Sequence, residues 1–313
     1  MNKYVLTFIL SFFVMFFFIT CSESDTHSPL IEGLTIQNYP KVDGSTSAAP
    51  LNMIIACRLL GLEYKWVQNP YFHDWSVQPQ RSELSDIIKS SQTHHSIINL
   101  IDNNTDLVLS ARIMSQDEEN YAAAAGVSLV QTPIALDAFI FIINPRNFEV
   151  SSLTIQQIQQ IYTGRITNWR TLGGNDAVIN PYIRNANSGS QELMESLVMK
   201  DIPIIELPES QDILFTMSGA VDAVSNDEDG ICYTLYYYKY QILRGSYTKT
   251  IAINGIHPDI DTISNNTYPL VSPVYALIRT DLDKSSMAYK VYEWLQTEEG
   301  KQVISESGYV PMF

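Results

Sequence analysis

Apolar residues follow two kinds of spacing along the chain, and the two kinds alternate. Strand-like apolar runs occur at residues 64–67, 107–109, 128–131, 138–143, 252–254 and 274–278. Helical spacing follows residues 50 and 190, and it also marks residues 115–125, 154–162 and 286–304. Alternation of strands and helices is typical of α/β proteins, and it predicts largely parallel sheets.

Two clusters rich in glycine and hydroxyl residues, 43–50 and 184–192, each run directly into a helical pattern. At a helix N-terminus, unpaired N–H groups and the positive end of the helix dipole favour an anion. Such residues are also the commonest N-caps, so one cluster alone is more often a cap than a ligand site. Two clusters favour an anion clamp. Its candidate donors are Ser45, Thr46, Ser47, Ser188, Gly189, Ser190 and the fork of Arg184.

The N-terminus has the composition of an export signal. Lys3 precedes an apolar run at residues 4–19, and Cys21 follows it. A positive start, a short apolar stretch and a small-residue boundary are typical of signal peptides, whereas a membrane-spanning anchor needs about 20 apolar residues. Residues 18–21 resemble a bacterial lipoprotein cleavage box. We therefore expect a signal peptide at 1–20, a lipidated Cys21 and a polar tether at 21–32.

Charge narrows the classes of partner. The formal net charge is −15, from 19 basic and 34 acidic residues. Such an excess of negative charge disfavours nucleic acid or an acidic membrane surface as a partner. Any bound anion must therefore be held by local donors rather than attracted by the protein as a whole.

Cysteine and histidine residues give no pattern for a metal or cofactor. Cys57 lies in a helical apolar stripe and Cys232 in an aromatic run, so both are expected to be buried thiols. None of the five histidines has the spacing of a metal-ligand pair. They are His27, His73, His94, His95 and His257. We expect no metal and no cofactor.

Eight collinear segments carry a family resemblance. The most specific is Tyr162-Thr163-Gly164-Arg165-Ile166-Thr167-Asn168-Trp169, followed by a Gly-Gly pair at 173–174. The others are 44–50, 106–112, 144–158, 184–190, 254–258, 268–270 and 294–311. From residue 44 to residue 311 the chain resembles the phosphate-binding proteins of bacterial phosphate ABC transporters, which are type II periplasmic binding proteins.

The resemblance implies an α/β fold with two lobes, a ligand cleft between them and two crossover strands near Phe141 and Val271. Lobe I would comprise residues 33–142 and 271–313, and lobe II residues 143–270. A monomer in the bacterial cell envelope is expected, attached to a membrane by its lipid alone and delivering phosphate to an ABC permease.

Carried over by position, the family's anion contacts fall on the two clusters and on two further loops. The further positions are Thr93, Ser110 and Arg112, and Arg112 stands one place later than the arginine of many relatives. Phosphate binders often carry an aspartate two residues after the arginine that corresponds to Arg184. They often carry a carboxylate directly after the serine that corresponds to Ser110. This chain has Ala186 and Ala111 there. Asp43, Asp137, Asn187 and Glu192 remain as candidate replacements.

Three functions are compatible with these features. The first is a phosphate receptor of an importer, and the second is a binding or sensing protein for another oxyanion or solute, as the two alanines suggest. The third is a secreted serine enzyme. It is disfavoured because neither hydroxyl cluster has a Gly-x-Ser-x-Gly elbow or a neighbouring histidine.

Overall fold

The computed structural model describes residues 30–71, 74–205 and 213–312. The predicted signal peptide and Cys21 lie outside the described residues, as do His27 and His73. Strands in the described part are β1 Val42–Gly44, β2 Tyr64–Gln68, β3 Trp75–Pro79, β4 Leu107–Ser110, β5 Leu129–Ile143, β6 Ser152–Leu153, β7 Asn180–Pro181, β8 Gly230–Leu235, β9 Lys249–Thr250, β10 Ala252–Ile253, β11 Val271–Arg279 and β12 Val310–Pro311. 

Helices fill most of the intervening chain. The α-helices are α1 Ala49–Leu59, α2 Leu84–Ile87, α3 Thr93–Ile101, α4 Gln116–Ala125, α5 Ile155–Tyr162, α6 Gly189–Leu193, α7 Met217–Asn226, α8 Ile260–Ser264, α9 Met287–Trp294 and α10 Glu298–Glu306. A π-helix, Met194–Met199, continues α6, and another spans Tyr238–Ile242. Short 3-10 turns span Ile36–Asn38, Thr46–Ala48 and Trp169–Leu172.

The central sheet is mixed, so the prediction of largely parallel sheets is wrong. Its eight strands follow the order β1-β4-β11-β5-β8-β7, and β9 and β12 also pair with β5. The outer pairs β1/β4 and β7/β8 are parallel, while β11 and β5 run antiparallel to their neighbours. Antiparallel pairing arises because two long strands cross the middle of the molecule in opposite directions.

Strand β5 joins two runs that the sequence pattern predicted as separate strands. Its Leu129–Ala138 part pairs with β11, and its Phe139–Ile143 part pairs with β8. Pro133 lies within this strand, and its ring removes one donor from the hydrogen-bond ladder. The register shifts there, so Val274 pairs with Ala135 and Tyr275 pairs with Pro133. One strand thus spans both halves of the sheet.

Several helix starts agree with their sequence signals. Ser115 and Glu118 form the predicted capping box of α4, which ends at Gly126 in the left-handed conformation. Thr154 caps α5 in the same way. The predicted helix 286–304 is instead two helices, α9 and α10. A Cβ on Gly300 would lie 2.3 Å from the carbonyl oxygen of Trp294, so the turn between them packs tightly against α10.

Both described halves of the sheet are covered by helices, and the core is apolar and aromatic. Cys57 and Cys232 are buried free thiols, which confirms the sequence prediction for both. Burial raises the pKa of each thiol to about 12, so neither is a ready nucleophile. Among the described residues, no helix combines the length and apolarity that crossing a bilayer requires.

Candidate functional site

The two predicted hydroxyl clusters meet at a cavity of about 240 Å³. This volume is below the ~300–1,000 Å³ of pockets for drug-sized ligands, so the cavity suits a small ligand. Its described lining residues are Ser45, Thr46, Ser47, Gln92, Thr93, His94, His95, Ala111, Arg184, Asn185, Ala186, Asn187, Ser188, Gly189, Ser190, Thr216, Met217, Ser218, Leu235 and Tyr238.

Arg184 is a buried cation held by neutral groups. Its side chain donates from Nε to the Leu214 carbonyl at 2.8 Å, from Nη1 to Ser190 Oγ at 3.1 Å and from Nη2 to the Phe215 carbonyl at 3.4 Å. The residue is 4% exposed, and burial lowers its pKa. Within the described chain, no carboxylate lies within ion-pair distance of this guanidinium. A buried charge without a counter-ion is unfavourable, so the site favours an anion.

The loop 45–47 forms one wall of the cavity. Ser45 Oγ is 2.8 Å from Thr93 Oγ1 and accepts a hydrogen bond from the Ala111 N–H at 2.9 Å, so it holds three parts of the wall together. Ser47 is fully buried, and its Oγ has no hydrogen-bond partner. A buried hydroxyl without a partner is rare in native structures unless a ligand or water completes it.

The Ser188 cluster forms the opposite wall. Ser188 Oγ accepts a hydrogen bond from the Gln191 N–H at 3.3 Å, so this serine is a true N-cap as well as a lining residue. Gly189 lies close to Thr93: a Cβ on this glycine would be 2.5 Å from Thr93 Oγ1. The two walls therefore touch at a position where only glycine fits.

Ser110 and Arg112, which were expected among the anion contacts, are not among the described residues that line the cavity. Ser110 Oγ donates to the Arg112 carbonyl at 2.6 Å. The Arg112 guanidinium donates to both Glu118 oxygens, at 2.7 and 2.9 Å, and Nη2 also reaches the Asn187 carbonyl at 3.1 Å. Since its charge is already neutralised by a fully buried carboxylate, Arg112 is a structural residue behind the wall.

Sequence reasoning did not predict that α7 also begins at the cavity. Thr216 caps α7 by accepting from the Gly219 N–H at 3.0 Å, and Thr216, Met217 and Ser218 all line the cavity. A threonine three residues before glycine and ahead of an apolar helical run was a readable N-cap signal. Asn185, Tyr238, His94 and His95 were also missed, and nothing in their local pattern marked them.

None of the described lining residues carries a carboxylate. Ala186 and Ala111 both line the cavity, at the positions where a carboxylate was expected by resemblance. Of the candidate replacements, only Asn187 reaches the lining. Asp43 is engaged by the N–H groups of Gly44 and Ser91 instead. In the described part of the chain, no cluster of His, Cys, Asp or Glu has a metal-binding arrangement.

Comparisons with known proteins agree with this geometry. Residues 68–299 match the family model described as PBP superfamily domain. Phosphate-binding protein PstS of Borreliella burgdorferi is 25% identical over 209 residues, which are 65% of this chain and 71% of that protein. Phosphate-binding protein PstS of Staphylococcus aureus is 23% identical over 284 residues, 88% of this chain and 79% of that protein.

A solved structure extends the match to the fold. The ABC-type phosphate transport receptor from Vibrio cholerae is 22% identical, and the superposition covers 86% of this chain and 98% of that one with a TM-score of 0.60. The predicted two-lobed α/β fold class is thereby confirmed. Because the family match spans well over half of its residues, the chain belongs to the PBP superfamily.

Proposed function

We propose that this protein captures phosphate between its two lobes and delivers it to an ABC importer. The observation that carries the proposal is Arg184, a buried guanidinium without a carboxylate partner in the described structure, beside a cavity lined by hydroxyl groups. An anion in that cavity supplies the missing negative charge. The relatives named as phosphate-binding proteins identify the anion class.

The binding residues would be those that line the cavity on both walls. Thr46 and Ser47 would donate from one wall, and Ser188, Gly189 and Ser190 from the other. Arg184 would bind two oxygens of the anion. The starts of α1, α3 and α7 and of the Gly189–Met199 segment add N–H groups and favourable dipoles, which suit a compact oxyanion. Ser45 and Thr93 would order the wall.

The protein is a binding protein rather than an enzyme, as its family and relatives indicate. One similar protein is described as an ABC-type phosphate transport receptor, and this chain would likewise act outside the cytoplasm beside an ABC transporter. Although His94 and His95 also line the cavity, no described serine there has a hydrogen bond to a histidine or carboxylate side chain, the groups that activate a serine nucleophile. Ser47 Oγ has no hydrogen-bond partner in the described structure, and Ser45 Oγ is hydrogen-bonded to Thr93 Oγ1 and the Ala111 N–H.

Lobe I would comprise residues 33–142 and 271–313, and lobe II residues 143–270. The pairing of β5 supports this division, because the strand changes partner from β11 to β8 between Ala138 and Phe139. Closure of the two lobes would exclude water and bring both walls onto the ligand.

The protein would be attached to a membrane of the cell envelope by a lipid anchor. Residues 1–20 would be removed, Cys21 would carry the lipid, and residues 21–32 would tether a monomeric receptor to the membrane surface. Replacement of Cys21 by alanine is expected to release the protein from the membrane fraction, measured by fractionation of the cells that produce it. A Cys21→Ala protein that stays in the membrane fraction contradicts the anchor.

Calorimetric titration of the purified protein with phosphate, and then with sulfate, tests the ligand. Phosphate binding that sulfate does not displace supports a phosphate receptor. A second candidate, a receptor for other tetrahedral oxyanions, is favoured by the lack of a carboxylate among the described lining residues. Equal binding of sulfate would favour that candidate, and binding of neither anion would refute both.

A further inference from the structure

We propose that the side-chain amide oxygen of Asn185 accepts the hydrogen bond of the protonated phosphate oxygen and thereby sets the preference for phosphate over sulfate. The proposal rests on the proposed function and names a selectivity residue for it. Phosphate near neutral pH carries a proton on at least one oxygen, whereas sulfate carries none. A selective site therefore needs a hydrogen-bond acceptor, and hydroxyl, N–H and guanidinium donors alone cannot tell the two anions apart.

Asn185 has a buried acceptor without a partner. Its Oδ1 atom is buried and receives no hydrogen bond, and the residue lines the cavity directly beside Arg184. The Nδ2 group donates to the Ala186 carbonyl at 3.3 Å, which assigns the oxygen to the opposite side of the amide. An acceptor in this state has a hydrogen bond to gain from a ligand that can donate one.

The backbone of Asn185 is fixed on both sides, so its side chain has a defined origin. The Asn185 N–H donates to the Leu214 carbonyl at 3.2 Å, and the Asn185 carbonyl accepts from the Ser188 N–H at 3.2 Å. One turn, residues 185–188, therefore carries both the Asn185 amide and Ser188, the N-cap on that wall of the cavity. A group held in this way loses little conformational freedom on binding.

An amide oxygen discriminates between phosphate and sulfate less strongly than a carboxylate does. A carboxylate facing sulfate places two like charges together without a proton between them, at a free-energy cost of several kcal/mol. An amide oxygen meets only a dipolar repulsion, and rotation of the amide would present Nδ2 to sulfate after loss of its long hydrogen bond to Ala186. We therefore expect a moderate preference for phosphate.

His94 is the main rival for this role. Its Nδ1 lies 2.9 Å from Glu118 Oε1, and both oxygens of Glu118 already accept hydrogen bonds from Arg112 and the Ser115 N–H. Glu118 is therefore an acceptor, Nδ1 carries the hydrogen, and Nε2 of a neutral ring remains as an acceptor. The two assignments lead to different predictions, because Asn185 and His94 can be replaced separately.

The experiment is calorimetric titration of the purified protein and four variants with phosphate and with sulfate. Asn185→Ala is expected to weaken phosphate binding by about 3- to 10-fold, the range of one neutral hydrogen bond, and to change sulfate binding by less than about 2-fold. Asn185→Asp is expected to weaken sulfate binding by at least about 30-fold while phosphate binding stays within about 5-fold. His94→Gln is expected to leave the phosphate-to-sulfate ratio unchanged. Asn104→Asp, at an exposed position, controls for the added charge.

Failure of the selectivity assignment differs from failure of the proposed function. If the unaltered protein binds phosphate but Asn185→Ala and Asn185→Asp leave the ratio of affinities unchanged, the assignment to Asn185 is overturned. A ratio that changes in His94→Gln alone overturns it in favour of the histidine. If the unaltered protein binds neither anion, the function is wrong.

Discussion

Two buried arginines near the cavity have opposite electrostatic surroundings. Arg184 is held by carbonyl and hydroxyl oxygens, whereas Arg112 forms a two-pronged ion pair with Glu118. Both are 4% exposed. Neutralisation by a buried carboxylate removes the need for a ligand, so Arg112 braces the structure, whereas the proposed function assigns the anion to Arg184.

Replacement of Arg184 by alanine is expected to weaken phosphate binding by about 1.5–3 kcal/mol, roughly 10- to 150-fold, because a charge-assisted hydrogen bond is lost. Calorimetry measures the change. Arg170→Ala is the matched control, since that arginine forms an exposed pair with Asp176 and is not among the described residues that line the cavity. Equal affinity in Arg184→Ala and the unaltered protein would mean that the anion lies elsewhere.

Replacement of Glu118 by glutamine is expected to destabilise the protein by about 3–5 kcal/mol, because the Arg112 charge would stay buried without its counter-ion. The free energy of unfolding in urea measures the effect. Glu83→Gln breaks the exposed pair with Arg81 and is expected to leave the free energy of unfolding nearly unchanged, because solvent screens this pair. Similar losses in the two variants would contradict the structural role assigned to Glu118.

At the scale of elements, the cavity is built from helix starts rather than from one loop. Sequence patterns predicted two of these starts because serine, threonine and glycine precede apolar helical spacing there. They did not predict that Arg112 would face Glu118, since the partner of an ion pair depends on how α4 packs behind the wall. Local capping signals are thus readable, whereas the pairing of charges across elements is not.

For the strands too, the sequence predicted some features and not others. The apolar runs of β4 and β11 were visible in the sequence, and so was the second half of β5. Strand direction was not, because alternation and apolar runs look alike in parallel and antiparallel sheets. Pro133 also hid the continuity of β5, since a proline within a run argues against a central strand unless a register shift accommodates it.

Replacement of Gly189 by alanine is expected to weaken phosphate binding by at least about 10-fold, because the new methyl group would overlap Thr93 and keep the walls apart. The fold itself should tolerate the change, since alanine is a good helix residue and Gly189 does not have a positive φ. Calorimetry gives the affinity, and small-angle scattering with saturating phosphate reports closure.

The double variant Gly189→Ala with Thr93→Ala tests the cause of that loss. It removes the hydroxyl that the new methyl group meets, so closure in the scattering profile is expected to recover in part. A Gly189→Ala protein that binds phosphate and closes normally would refute the contact between the two walls as a feature of the bound state.

At the scale of the whole molecule, contacts on both sides of the cleft hold the two halves together. Arg112 Nη2 reaches the Asn187 carbonyl near the cavity. On the β2–β3 hairpin, Trp66 and Trp75 lie 4.6 and 5.0 Å from the guanidinium of Arg244. Each contact joins a segment of one proposed lobe to a segment of the other, which supports a closed arrangement around the cavity.

The strands that join the halves carry a buried acid, Asp137, whose titration affects the whole molecule. Its Oδ1 accepts hydrogen bonds from the N–H groups of Ala138 and Tyr237, and its Oδ2 has no partner. Burial raises the pKa of Asp137 from 3.8 to about 7, against the lowering effect of the two N–H groups. Between these values the folded protein binds a proton that the unfolded chain has released, so stability falls as the pH rises through this window.

Replacement of Asp137 by asparagine removes this titration and keeps an oxygen for the two N–H groups. The stability of the variant relative to the unaltered protein is therefore expected to rise between about pH 4 and pH 8, by an amount on the order of a few kcal/mol. Urea unfolding at a series of pH values measures it, with the exposed Asp86→Asn as the control. If the Asp137→Asn and unaltered proteins gave parallel stability curves across that range, Asp137 would have to be ionised in the folded state at all of these pH values, and the two N–H groups would outweigh its burial.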